Sequence, residues 1–304
     1  MNISEIDFSD LMDLRVDYAF KLFFATGDTS RLVSLLNAIF KNKRIPRVIT
    51  SLVVVNPNLE KADAEDKLSV LDIRATLTDG TSILIEMHLY DLTAHKFKLL
   101  RSWARVYGEE LEEGQEYTEQ KIVMHISFAN GPLQDASGKH IEKIHSLFHI
   151  IERDGHEVLT SDLEIHYINM KAFVKRLKEL VGQGDLDEAE LDDFTVWLAL
   201  ITQKSIGDKE AIRRICERED MKEAVAALAR LSADKIKRHA YQRRMDELRT
   251  YNHIMSQIAV MGAAIADKDA AIADKDAEIA GKDAEIASMA AEIAALLAKL
   301  NEGQ

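Results

Sequence analysis

The sequence predicts an α/β core, then an all-helical region, then a terminal coiled-coil helix. Three observations carry that prediction. Between 48 and 168, short runs of β-branched and apolar residues alternate with stretches of helical period. From Asn169 onward the apolar spacing is helical only. From Ile258 to Leu300 an isoleucine or leucine recurs every seventh residue. The same marks divide the chain into 1–168, 169–250 and 251–304.

In chain order, Phe8 to Phe24 has a helical rhythm, with Ser9 or Asp10 as a cap. Asp17 and Lys21 lie four apart and share a face, in the simplest case as an exposed ion pair. Thr29 to Phe40 is a second helix capped at Asp28 or Thr29, with Leu32, Leu35, Leu36 and Ile39 on one side. Lys41-Asn-Lys-Arg44 reads as a solvated helix end. Val48 to Val55 is strand-like, and the acidic 59–67 stretch a surface loop.

Leu92 to Glu113 reads as a long helix, with Phe97, Leu100, Trp103 or Ala104, and Tyr107 at helical spacing. It is the most basic element. Arg101 and Arg105 share a face, which either meets a phosphate or pairs with Glu109 and Glu112. Ile122 to Phe128 is a buried-type strand, and Asn130-Gly131-Pro132 a turn. Ser146 to Ile151 and Glu164 to Ile168 are strands flanking the core sheet. His140, His145, His149, His156 and His166 lack the spacing of a zinc site and read as ordinary histidines. Beyond Asn169, helices are expected at Ala172–Val181, Glu188–Ile201, Lys209–Cys216, Met221–Leu231 and Asp234–Ala259, without catalytic spacing.

The stretch Ser69 to Tyr90 carries the chemistry. Two apolar runs flank Thr78-Asp79-Gly80, and glycine suits the left-handed conformation of a tight turn. Asp72 and Glu86 sit inside these runs, where a carboxylate is costly unless paired. Alternation puts Glu86 and His88 on one face, with Ile85 and Met87 on the other. A two-residue loop would set Asp72 opposite Met87. A three-residue loop would set it opposite Glu86, about 5 Å apart at Cβ. Two carboxylates so close repel unless a cation such as Mg²⁺ takes the charge. The alternative is a pair of solvated strand-end acids.

An acid, a short connection, then Glu-x-(Lys or its equivalent) on an apolar strand resembles the PD-(D/E)xK nuclease superfamily. The closer resemblance is to its recombination-promoting nuclease branch, the PD-(D/E)xK family transposases. It rests on Asp17-Tyr-Ala-Phe-Lys21-Leu-Phe-Phe24, Leu36-Asn-Ala-Ile39, Leu71-Asp72-Ile73, Ile85-Glu86-Met87-His88, Arg101 with Tyr107, Gly114-Gln-Glu-Tyr117, Lys121 to Ile126, and Leu159 to His166. The resemblance implies a restriction-endonuclease-like core, a central mixed sheet flanked by helices. It implies a Mg²⁺- or Mn²⁺-dependent DNA endonuclease associated with mobile elements or phage defence. Asp72 and Glu86 would hold the metal, with His88 as the third catalytic residue. Asp17, Lys21, Arg101 and Arg105 would lie near the metal or the DNA. Two positions depart from the pattern: His88 stands where the branch has Gln and the superfamily Lys, and Leu71 rather than Pro precedes Asp72. Histidine can orient a water but is no permanent ammonium. A second reading therefore stays open, a nuclease-fold protein without catalysis that works through its tail.

In the tail, Ile258, Ile265, Ile272, Ile279, Ile286, Ile293 and Leu300 form one seam position. The other holds Lys268, Lys275, Lys282, Met289 and Leu296, so only the last two heptads are well made. A helix marginal alone, forming a homo-oligomer through its end, is expected. The net charge is −13, of which the first 250 residues carry −8, which argues against tight nonspecific DNA binding. Cys216 is the one cysteine, which excludes an internal disulfide. No signal peptide or membrane span is expected, which fits a cytoplasmic protein.

Overall fold

A computed structural model describes residues 3–55, 73–89, 94–188 and 190–302, with side chains to 297. Leu71, Asp72 and the acidic 59–67 stretch lie outside the described residues. Two helices open the chain, α1 (Asp17–Ala25) and α2 (Ser30–Asn42), followed by β1 (Leu52–Val54), β2 (Ile73–Leu77) and β3 (Ser82–His88). Then come α3 (His95–Glu109), β4 (Val123–Ala129), the small pair β5 (Leu133–Gln134) and β6 (His140–Ile141), β7 (His145–Ile151) and β8 (Val158–Asn169). The helical part is α4 (Met170–Gln183), α5 (Asp193–Ile206), α6 (Lys209–Cys216), α7 (Glu219–Ala233) and α8 (Lys235–Glu302).

Six strands form one mixed sheet in the order β1-β2-β3-β4-β8-β7. β3, β4 and β8 run parallel, and the remaining pairs are antiparallel. The expected α/β nuclease-like core, a mixed sheet flanked by helices, is therefore what the chain adopts. β7 and β8 belong to this sheet rather than flanking it. β4 sits at its centre, every residue buried, because helices cover both faces. Alternation sorts its side chains: Val123, His125, Ser127 and Ala129 face α3, while Phe128 meets Phe20 of α1 on the other side.

The predicted helix from Phe8 begins only at Asp17. Phe8, Leu11, Met12, Leu14 and Val16 are all buried, but in turns. Their amides go elsewhere: Met12 N–H donates to Ser232 Oγ at 2.8 Å, and Asp13 N–H to the Tyr241 hydroxyl at 3.1 Å. Partners more than 200 residues away replace the helical ladder. The helix expected at Glu188 starts at Asp193, because Asp192 caps it by accepting from Thr195 N–H at 2.8 Å. On α3, Leu99 and Val106 turn inward with Trp103 and Tyr107, and Phe97 and Leu100 stay exposed.

Contacts divide the chain into two units, 1–245 and 246–304. In the first, α5 is wrapped on nearly every side, with Val196, Leu198, Ala199, Leu200 and Ile201 fully buried. In the second the described side chains are almost all exposed, including Ile258, Ile265, Ile272, Ile279, Ile286 and Ile293.

Candidate active site

The hairpin between β2 and β3 turns through a three-residue loop. Leu77 N–H donates to Thr81 O at 2.9 Å and Gly80 N–H to Leu77 O at 3.0 Å, with Gly80 at φ +84°. Asp79 braces the loop by accepting from Thr81 N–H, and Arg47 donates to both Asp79 and Thr81 Oγ. The register runs Ile73↔Ile85, Arg74↔Leu84, Ala75↔Ile83, Thr76↔Ser82. That is the register in which the sequence reading put Asp72 opposite Glu86. Asp72 itself lies outside the described residues.

Glu86 is fully buried on the α3 side of the sheet. Its Oε2 lies 2.8 Å from His88 Nε2, two residues on along the same strand face, and 3.3 Å from His125 Nε2 on β4. Oε1 is buried and has no hydrogen-bond partner among the described residues. Burial pushes the Glu86 carboxyl up, but the His125 and His88 rings outweigh it and hold it well below the usual carboxylate range. Burial also lowers the His88 pKa, against the pull of Glu86, so that ring is neutral at pH 7. A carboxylate only accepts, which places the His88 hydrogen on Nε2 and a lone pair on Nδ1.

Four side chains from β4, α3 and β8 complete the cluster. His125 Nδ1–H donates to the Leu99 carbonyl of α3 at 3.2 Å, which fixes the ring. His95, at the first turn of α3, meets His88 edge-on with centroids 4.4 Å apart, and its Nε2 lies 3.2 Å from Ser127 Oγ. Burial, with His88 beside it, pushes the His95 pKa down to about 3. Tyr167 of β8 packs edge-on against His95 and donates to Gly131 O at 2.8 Å. Sequence reasoning missed His125, His95, Ser127 and Tyr167. The one available signal was His125, a lone imidazole in an otherwise apolar strand.

Of the other predicted residues, Asp17 pairs elsewhere, and Arg101 and Arg105 face solvent. Asp17 is gripped by Arg244 of α8, whose Nε is 3.0 and 3.1 Å from its two oxygens. It does not pair with Lys21 on the surface, and Lys21 is itself buried. Arg101 and Arg105 are exposed on α3 without an ion-pair partner among the described residues. Glu109, the expected alternative partner, pairs with Arg74 at 2.9 Å instead.

A divalent cation needs carboxylate oxygens with free lone pairs. Glu86 Oε1 is such an atom, and the hydrogen-bonded Oε2 holds the carboxylate in place. The described residues contain no group of three or more His, Cys, Asp or Glu placed to hold a metal ion. No described helix is long and apolar enough to cross a membrane. Compared with known proteins, residues 14–257 match the family model described as PD-(D/E)XK nuclease family transposase. No curated protein and no solved structure matches the chain.

Proposed function

Because the chain belongs to the PD-(D/E)XK nuclease family transposases, we propose that it is a Mg²⁺- or Mn²⁺-dependent DNA endonuclease of the recombination-promoting type, cytoplasmic and tied to mobile elements or phage defence. Asp72 and Glu86 would hold the ion, and His88 would position the attacking water. The observation that carries this reading is Glu86: a buried carboxylate kept ionised, with one oxygen free and the other on a neutral histidine.

When bound, the divalent ion supplies Lewis-acid stabilisation of charge on the phosphoryl oxygens and acidifies a coordinated water. The chain's own groups do the rest. His88 donates through Nε2 to Glu86, which leaves Nδ1 free to accept a proton from water. His125, anchored on Leu99 O, lies 3.3 Å from Glu86 Oε2 and helps to hold that carboxylate, while His95, anchored on Ser127, packs edge-on against His88. Arg101 and Arg105 project from the exposed face of α3, where they would meet DNA phosphates. In hydrolysis the water oxygen bonds to phosphorus and its proton passes to the base. The P–O bond to the leaving strand then breaks, and that strand takes a proton.

Nicking of a supercoiled plasmid tests the proposal. With Mn²⁺, the wild type should nick and Glu86→Gln should lose at least 100-fold. Equal activity in the variant removes the site assignment.

A second reading is favoured by two observations. Glu86 is wholly buried, and the tail leaves six heptad isoleucines exposed. On this reading the fold no longer cuts, and the protein acts by homo-oligomerisation or partner binding through its C-terminal heptads.

A further inference from the structure

Residues 92–108 hold four lysines and arginines and no acid, in a chain whose net charge is −13. All four cations lie on α3. Lys98, Arg101 and Arg105 are spaced by three and four residues, which sets them in one row along the helix. None of the three has an ion-pair partner among the described residues. Phe97 stands at the head of that row, four residues before Arg101, with 65% of its surface exposed.

Packing does not account for Phe97 there. The face of α3 that meets the sheet is made by Leu99 and Val106, with Trp103 and Tyr107. Phe97 is nonetheless held in place: Lys96 Nζ sits 5.3 Å from its ring centroid and donates to Asp135 O at 3.0 Å. Leu100, 49% exposed, extends the apolar surface by one turn. The row begins beside the candidate active site. His95, two residues before Phe97, meets His88, which is hydrogen-bonded to Glu86. Lys98 is close enough to both histidines to oppose their protonation.

We propose that Phe97 is a stacking platform for an unpaired base, so that the protein takes DNA with single-stranded segments in preference to closed duplex. The proposal rests on the nuclease reading above and names the substrate class of that site. An exposed aromatic beside a row of cations is how proteins hold single strands: the cations follow the phosphates while the ring stacks on a base. A closed duplex keeps its bases stacked on one another, and opening a step to admit the ring is costly. The row has no acid of its own to neutralise it, and phosphates supply that charge. Its start beside Glu86 and His88 makes the occupant a strand that continues into the site where a phosphodiester would be cut.

The test is fluorescence anisotropy of the full chain with a fluorescein-labelled DNA single strand of about twenty bases, and with a blunt duplex of the same length. A metal chelator prevents cutting. The wild type should bind the single strand more tightly than the duplex. Phe97→Ala should weaken single-strand binding about tenfold and leave duplex binding unchanged, and Phe97→Trp should keep both. Phe97 is exposed, so neither variant threatens the fold. Arg101→Ala combined with Arg105→Ala should weaken both ligands and flatten their salt dependence. A wild type that does not favour the single strand overturns the proposal. Equal binding by Phe97→Ala overturns it too, and is the result expected if Phe97 instead docks against a second copy. Glu86→Gln should keep the Phe97-dependent binding whether or not the wild type nicks plasmid, so failure of the cutting assignment and failure of this one read out separately.

Discussion

Asp17 shows how a residue's spacing can mislead about its partner. Four positions from Lys21 it reads as a helix-surface ion pair, yet it receives a forked contact from Arg244, with both side chains mostly buried. Removing one member of a buried pair strands the other charge. Arg244→Ala should therefore cost about 3 kcal/mol, at the low end for such pairs. That would lower the unfolding temperature by several degrees, as calorimetry would read. No change would mean that the pair is a surface contact. The buried histidines give a pH prediction of definite sign. Burial holds His145 at about 2 and His95 at about 3, against 6.5 for a free ring. The unfolded chain therefore binds protons that the folded chain refuses, so stability is full above pH 6.5 and falls as pH drops below it. Each ring costs about 1.4 kcal/mol per pH unit in that window, so about 3 kcal/mol together at pH 5.5. A urea midpoint unchanged between pH 7.5 and 5 would contradict it. Neither histidine's role was readable beforehand, since each depends on a neighbour far along the chain: Ser127 for His95, Asn42 and His166 for His145.

The β2–β3 hairpin was the most legible element. Gly80 marks a left-handed turn residue, and the alternation of Ile83, Ile85 and Met87 with Leu84, Glu86 and His88 assigns the faces without tertiary information. A Cβ at Gly80 would meet nothing closer than 3.9 Å, so Gly80→Ala tests the backbone alone. At φ +84° it should cost about 1–2 kcal/mol. A neutral substitution would mean the loop relaxes to another turn and the register is not held by it. Elements settled by distant contacts were less legible. The buried stretch before Asp17 has helical apolar spacing, but its amides are taken by Ser232 and Tyr241. Helix α3 carries two apolar stripes, and only the sheet decides that Leu99 and Val106 turn in while Phe97 and Leu100 remain outside. The α5 boundary was readable in principle from Asp192, an ordinary N-cap.

For the whole molecule, the shift from strand-bearing to purely helical sequence after Asn169 marks where the sheet ends, and the heptad tail is one continuous helix with α8. In the proposed oligomer, the lysines at the second seam position leave the apolar contact to the last heptads, with Met289 and Leu296. Ending the chain at 250 should reduce the mass measured by sedimentation equilibrium to that of one copy. A full chain already monomeric at tens of micromolar would remove the oligomer proposal. The proposed activity depends on one carboxylate pair, Asp72 and Glu86, sharing a cation. Calorimetric titration with Mn²⁺ tests this most directly, comparing the wild type with Asp72→Asn and Glu86→Gln. Saturable binding in the wild type, lost in each variant, is the predicted result. A wild type that takes up no Mn²⁺, or binding that persists when either acid is neutralised, would contradict it.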